Sequence, residues 1–153
     1  MLTIGLDVHF SKSRLCILDE QGKVLRDQEV RGHWDALTGE LKRIREPFRL
    51  CYEASLGYGH LYQQICQLPQ ARQVQVAHPG QLRLIFKSKR KNDRVDARKL
   101  ATLLYLDQVP QVHVPGQDVR SWRAMIHWRV KLVDQRTMAK NQIRALLKTS
   151  GIV

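Results

Sequence analysis

Acidic residues are the scarce charge in this sequence: 14 Asp and Glu stand against 26 Lys and Arg, for a net charge of +12 over 153 residues. That imbalance argues against a small-molecule enzyme. It implies an anionic partner, with nucleic acid ahead of a membrane surface. Cysteine is scarce too. Cys16, Cys51 and Cys66 are odd in number, form no Cys-x-x-Cys pair and sit among apolar neighbours. Zinc ribbons and disulfide scaffolds are thereby excluded, and buried thiols in a reducing cytoplasm are expected. No apolar run approaches the length of about 18 residues that a membrane-spanning helix needs. The first residues lead directly into strand-like Leu2-Thr3-Ile4-Gly5-Leu6, so neither a signal peptide nor a targeting arm is expected. Internal repeats and low-complexity segments are absent, and the six histidines share no metal-ligand spacing.

The residues that are present divide the chain in two, at 1–109 and 110–153. In the first part, Leu2, Ile4, Leu6 and Val8 alternate with Thr3, Gly5 and Asp7, which predicts a strand ending near Asp7. Arg14 to Leu18 and Lys23 to Val30 flank Asp19-Glu20-Gln21-Gly22 and predict a hairpin. Trp34, Leu37, Leu41 and Ile44 recur at helical spacing before Pro47. Phe48 to Glu53 reads as a strand, Tyr58 to Leu68 as a helix, Val74 to Ala77 as a short strand, and Asn92 to Leu106 as a helix. The order β-β-β-α-β-α-β-α predicts an α/β fold with an RNase H-like mixed sheet flanked by helices. In the second part no Gly or Pro interrupts Asp118 to Lys148, and Val119, Trp122, Ile126, Val130 and Val133 recur every three or four residues. A long basic amphipathic helix, or a helical pair, is expected there. Its apolar seam calls for another helix, in a second copy, as in a homo-oligomer, or in a further C-terminal region.

Against the basic background, four carboxylates stand out. Asp7 and Glu53 each close an apolar strand, and a parallel pairing of those strands would bring both to adjacent carboxyl ends, where open α/β sheets place their sites. Asp93 and Asp96 lie one turn apart at the start of a helix, on the same face as Ala97, Leu100 and Leu104. Carboxylates aimed at a sheet are costly to desolvate, and a bound cation offsets that cost. Mg²⁺, or Mn²⁺ in its place, takes oxygen ligands, and two such ions would serve phosphodiester chemistry. The bland alternative is local: Asp93 and Asp96 as helix-start acids, Asp7 as a strand-end acid, Glu53 as a cap of the next helix. Arg83, Lys87, Lys89, Arg90, Lys91 and Arg94 form a dense basic run beside this site and are the candidate phosphate contacts. His9 is near enough to Asp7 to line the site. Ser55 has no evident base and reads as a helix-start residue, and Tyr58 reads as a packed aromatic.

Two readings from other classes compete. Ile4-Gly5-Leu6-Asp7 followed by Asp19-Glu20-Gln21-Gly22-Lys23 looks like the phosphate-binding start of an actin-like kinase lobe, but no Gly-Gly-Thr-type loop follows. A non-catalytic nucleic-acid-binding or oligomerisation module would need none of the acids.

Taken together, Ile4-Gly5-Leu6-Asp7-Val8-His9, Cys51-Tyr52-Glu53-Ala54-Ser55 with Gly57-Tyr58, Ala77-His78-Pro79 and Lys91-Asn92-Asp93-Arg94-Val95-Asp96-Ala97 form an ordered set. The set resembles the RuvC-like N-terminal domain of the DEDD transposases of insertion sequence family 110, and the resemblance continues through Val114-Pro115 and Arg129 to Leu147. It implies that Asp7, Glu53, Asp93 and Asp96 are the Mg²⁺-binding tetrad. It implies a recombinase acting on DNA under a structured guide RNA, with a coiled-coil segment that supports oligomer assembly. It also implies a second, C-terminal domain bearing a serine nucleophile. The sequence stops at Val153, so a partial polypeptide is expected.

Overall fold

The computed structural model describes residues 1–55, 57–86 and 93–152, the last stretch without the side chains of residues 93–95. Among the described residues, five strands and five helices follow in the order β1 (Leu2–Val8), β2 (Lys12–Leu18), β3 (Val24–Arg31), α1 (Trp34–Lys42), β4 (Phe48–Glu53), α2 (Tyr58–Cys66), β5 (Ala71–Ala77), α3 (Pro79–Ile85), α4 (Asp93–Tyr105) and α5 (Gln117–Thr149). The strands form one sheet in the order β3-β2-β1-β4-β5. The hairpin makes β1–β2 and β2–β3 antiparallel. Helical crossovers make β1–β4 and β4–β5 parallel, because a parallel return needs a long connection. This is the RNase H-like mixed sheet that the sequence predicts.

Alternation along each strand fills both faces. On one face Ile4, Leu6, Leu15, Phe48, Leu50, Tyr52 and Val76 are buried with Leu37 and Leu41 of α1 and Leu61 and Ile65 of α2. On the other, Cys16, Leu18, Cys51 and Ala77 meet Leu82 of α3 and Ala97, Leu100, Ala101 and Leu104 of α4. Two helical layers thus enclose the sheet and remove its apolar sides from water.

Three details differ from the sequence expectations. Helix α3 is not among the elements that the sequence predicts. His78 caps it through Nδ1, which accepts from the backbone N–H groups of Gly80 and Gln81 at 3.1 and 3.3 Å, and Pro at the first helical position suits that start. Strand β5 begins at Ala71, three residues earlier than Val74, because Ala71 and Gln73 pair with Phe48 and Arg49 of β4. Cys66 is exposed, whereas Cys16 and Cys51 are buried as expected. Its apolar neighbour Ile65 takes the core side of α2, and the next residue turns about 100° away.

The chain falls into two units, Met1–Val114 and Pro115–Val153. The second is essentially α5, one unbroken helix of 33 residues with no buried side chain. Val119, Trp122, Ile126, Val130 and Val133 share one side, but Trp128, also exposed, lies about 180° from Val119 at 100° per residue. Its apolar surface therefore extends beyond a single stripe. No helix among the described residues is long and apolar enough to cross a membrane.

Candidate metal and nucleic-acid site

Asp7 and Glu53 come together through the parallel pairing of β1 and β4. Leu6 stands opposite Tyr52, so Asp7 and Glu53 are the next pair of positions in register, on neighbouring strands about 4.8 Å apart. Both belong to the sheet face that carries Gly5 and Cys51, the face covered by α4. Glu53 is exposed, and the Asp7 side chain is 18% exposed. His9 Nε2 lies 3.3 Å from Asp7 Oδ2, and Arg14 of β2 occupies the register position across from Asp7, where its Nε donates to Asp27 at 2.7 Å.

Helix α4 runs antiparallel to β1, and its seating is set at two points. Near its middle, a Cβ at Gly5 would stand 2.2 Å from the Ala97 carbonyl oxygen and 2.3 Å from the Ala101 nitrogen. Only glycine allows a helix backbone to lie this close to the strand. At its carboxyl end, Arg49, the register partner of Thr3, donates to Tyr105 O at 3.1 Å, Asp107 Oδ1 at 2.6 Å and Thr3 Oγ1 at 3.2 Å. From Gly5 to Asp7 the strand advances about 6.8 Å. From Ala97 back to Asp93 the helix advances about 6 Å in the same direction. The turn that carries Asp93 and Asp96 therefore comes level with the carboxyl ends of β1 and β4.

The Asp96 side chain is 30% exposed and sits 3.5 Å from Lys99 Nζ, which also lies over the Phe86 ring at 4.9 Å. The Asp93 side chain lies outside the described residues, although its backbone opens α4. Among the described residues no three His, Cys, Asp or Glu side chains approach closely enough to hold a metal ion. The donor set has the right chemistry for a hard divalent cation, all carboxylate oxygen, but its closure around one is not seen in the side chains described.

Of the basic run, Arg83 is exposed in the last turn of α3. Lys87, Lys89, Arg90 and Lys91 lie outside the described residues, and Arg94 is described by its helical backbone alone. His9 lies beside Asp7, as its place in the sequence suggests, whereas Lys99 and the Arg14–Asp27 pair carry no expectation from the sequence. Lys99 could have been found from its i,i+3 spacing to Asp96. The Arg14–Asp27 pair across the hairpin had no local signal.

Known proteins are similar to this chain in sequence and in fold. Residues 4–151 match the family model of the IS110 DEDD transposases, described as "Transposase". The chain is 28% identical over 150 residues to the transposase for insertion sequence element IS1111A of Coxiella burnetii (strain RSA 493 / Nine Mile phase I), across 97% of this chain and 39% of that protein. It thus spans 39% of the length of that curated relative. In fold it is similar to Thermus thermophilus RuvC, with a TM-score of 0.48 and 13% identity over 73% of this chain and 100% of that one. A second similar structure is T. thermophilus RuvC in complex with a Holliday junction substrate, at a TM-score of 0.49 and 14% identity over 73% and 99% of the two chains. With the family model matched over nearly its whole length, the chain belongs to the DEDD transposases of the IS110 family.

Proposed function

We propose that this chain is the metal-binding, nucleic-acid-handling part of a DNA transposase, in which Asp7, Glu53, Asp93 and Asp96 hold Mg²⁺, replaceable by Mn²⁺, for phosphodiester cleavage and exchange. One observation carries the reading. Asp7 and Glu53 are neighbours in register at the carboxyl ends of β1 and β4, and the first turn of α4 reaches the same end of the sheet. Divalent cations bound there would supply charge for the scissile phosphate and acidify an attacking water.

The protein's own residues do the rest. Asp7, on the central strand and less exposed than Glu53 or Asp96, would be the central ligand of the set. His9 accompanies it at 3.3 Å. Lys99, 3.5 Å from Asp96, orients its carboxylate and offsets its charge. Arg83, Lys87, Lys89, Arg90, Lys91 and Arg94 take phosphate contacts with DNA and with a structured guide RNA. Helix α5, apolar and basic, pairs with other helices in a homo-oligomer as a coiled coil. Catalysis of strand exchange by the whole transposase draws on a serine from a further domain.

The test is thermal unfolding with and without Mg²⁺ or Mn²⁺. Ion at about a hundredfold over its Kd stabilises the fold by about 2.7 kcal/mol. Asp7→Asn abolishes that response. Wild-type melting that ignores both ions sinks the metal reading. Separately, DNA and RNA affinity falls steeply with salt if the basic run makes the contact, and a flat response removes it.

A second reading, a nucleic-acid-binding or oligomerisation module without catalysis, draws on the net charge of +12 and the exposed apolar side chains of α5. It predicts unchanged binding in Asp7→Asn and no effect of Mg²⁺.

A further inference from the structure

We propose that a strip of rings at the carboxyl end of the sheet, Phe10–His33–Trp34–His60, is a stacking platform for unpaired nucleobases. The proposal rests on the nucleic-acid reading above and adds to it a surface that neither the acids nor the basic run supplies.

Three segments distant in sequence build the strip. Phe10 comes from the turn between β1 and β2, His33 and Trp34 from the start of α1, and His60 from the first turn of α2. Phe10 and His33 meet edge to face at 4.7 Å between centroids and 77°. His33 and Trp34 lie at 4.9 Å and 32°, and Trp34 and His60 at 6.1 Å and 35°. These spacings are those of interacting aromatic rings.

The strip is anchored at one point and open elsewhere. Trp34 packs against the core beneath α1, and a Cβ at Gly57 would come within 2.2 Å of its ring. Gly57 also has φ +79°, so the close approach and the backbone both call for glycine. The indole N–H is buried without an acceptor among the described residues, so packing and ring contacts hold the side chain. Outward from Trp34 the rings become accessible: His33 is exposed, and Phe10 is 76% exposed. Its turn is braced, with His9 N donating to Lys12 O at 3.2 Å and Gly32 N to Ser11 O at 2.9 Å. An apolar ring held in water on a braced turn adds nothing to the core and costs hydration free energy.

Chemistry and position select the occupant. Flat π faces suit flat π partners, and base–aromatic stacking tolerates any base. Phe10 follows Asp7 by three residues, so the strip and the proposed metal ligands share the carboxyl end of the sheet, the strip with α1 and α2 and the ligands on the face under α4. Lys12 and Arg31, paired across β2 and β3, stand at the same end, in a chain of net charge +12. A polyanion whose bases are splayed meets all three features. A duplex, with its bases stacked on each other, offers the strip nothing.

The experiment uses the full chain and oligonucleotides of DNA and of RNA carrying one 2-aminopurine, as single strands and as duplexes. Single-strand binding should quench the 2-aminopurine. Phe10→Ala and Phe10→Leu should weaken single-strand affinity roughly tenfold and relieve the quench, with duplex affinity unchanged. Phe10→Trp should restore both. Because Phe10 is exposed, melting temperatures should match wild type, which separates lost stacking from lost fold. The quench should persist in EDTA without Mg²⁺ or Mn²⁺, which separates the strip from the metal site. If Phe10→Ala and His33→Ala bind and quench like wild type, while wild type binds with a salt-dependent affinity, the platform is wrong and the nucleic-acid reading stands. If wild type binds neither DNA nor RNA, both fall together.

Discussion

The sheet unit and helix α5 are both rich in large apolar side chains and use them in opposite ways. In the first, Ile4, Leu6, Leu15, Leu37, Leu50 and Ile65 are sealed at 0–1% exposure. Along α5, twelve large apolar side chains from Val119 to Leu147 are each 42–69% exposed. Helical or strand periodicity marks a face, but burial needs a second layer to receive it. The sheet has one on each side. A lone helix in water draws little stability from its own hydrogen bonds, and most of what holds helices in proteins comes from tertiary packing. Stability should therefore be concentrated in Met1–Val114, and α5 should depend on what it binds.

The sharpest way to break that contrast is through the glycines. Gly5→Val would drive a branched side chain into the Ala97 carbonyl and Ala101 nitrogen, both backbone, so neither can rotate away. Overpacking of this kind costs about 3 kcal/mol or more. Unseating of α4 should follow, and with it loss of any Mg²⁺-dependent rise in melting temperature. At Gly116, just before α5, an added methyl would meet nothing within 4 Å among the described residues, and Gly116→Ala should leave the melt unchanged.

Leucines give the next largest effect. Leu50→Ala empties a fully buried site in the centre of the sheet and should cost about 2–5 kcal/mol. Leu132→Ala removes a side chain that is 59% exposed and should change the unfolding free energy of a dilute monomer by less than about 0.5 kcal/mol. Denaturant titration measures both. Should Leu132→Ala prove as damaging as Leu50→Ala at low concentration, α5 is not the weakly held element that its exposure implies. Arg49→Met comes below Leu50→Ala: with the side chain 17% exposed and three acceptors lost, about 2 kcal/mol is expected, read in the same titration.

Much of the sheet unit was legible in the sequence because its signals are local. Alternation in Leu2 to Val8 and Phe48 to Glu53 assigns each residue to a face, and the short hairpin before a helical return leaves few ways to order the strands. Pairing Asp7 with Glu53 followed from that order. Helix α3 was hidden because its start is held by a His78 side chain whose capping role no composition rule signals. Cys66 looked buried because local hydrophobic company was taken for a face. What fastens α4 at its far end, Arg49 to Asp107 across 58 residues, has no local trace at all. The Arg14–Asp27 pair across the hairpin likewise has no local trace, whereas His9 beside Asp7 and Lys99 one turn from Asp96 are local pairs. The extent of apolar surface on α5 was underread, since a search for one stripe passes over Trp128 on the other side.

The smallest effect at neutral pH is also the one that most cleanly separates the two units, because the residues concerned occur in only one of them. Burial under α4 pushes the Cys51 thiol up from 9.0 to about 12. Burial also raises the Tyr52 hydroxyl, with smaller contributions from neighbouring Cys66, Tyr62, Tyr58 and Cys51, and that hydroxyl donates to Tyr58 O at 2.6 Å. A raised folded value means that the unfolded chain gives up its proton first. The stability from these neutral groups is thus complete below pH 9 and is lost as the pH climbs from 9 towards 12. For Cys51 the loss is about 1.4 kcal/mol per pH unit over that window. Helix α5 contains neither Cys nor Tyr, so this mechanism does not reach it. Denaturant midpoints of the sheet unit, followed by tyrosine absorbance, should fall between about pH 9 and pH 11. Cys51→Ala should flatten the first part of that fall and leave the Tyr52 part, which begins about one pH unit higher. A midpoint independent of pH across this range would mean that Cys51 is open to water in solution, and with it that α4 is not seated against β4.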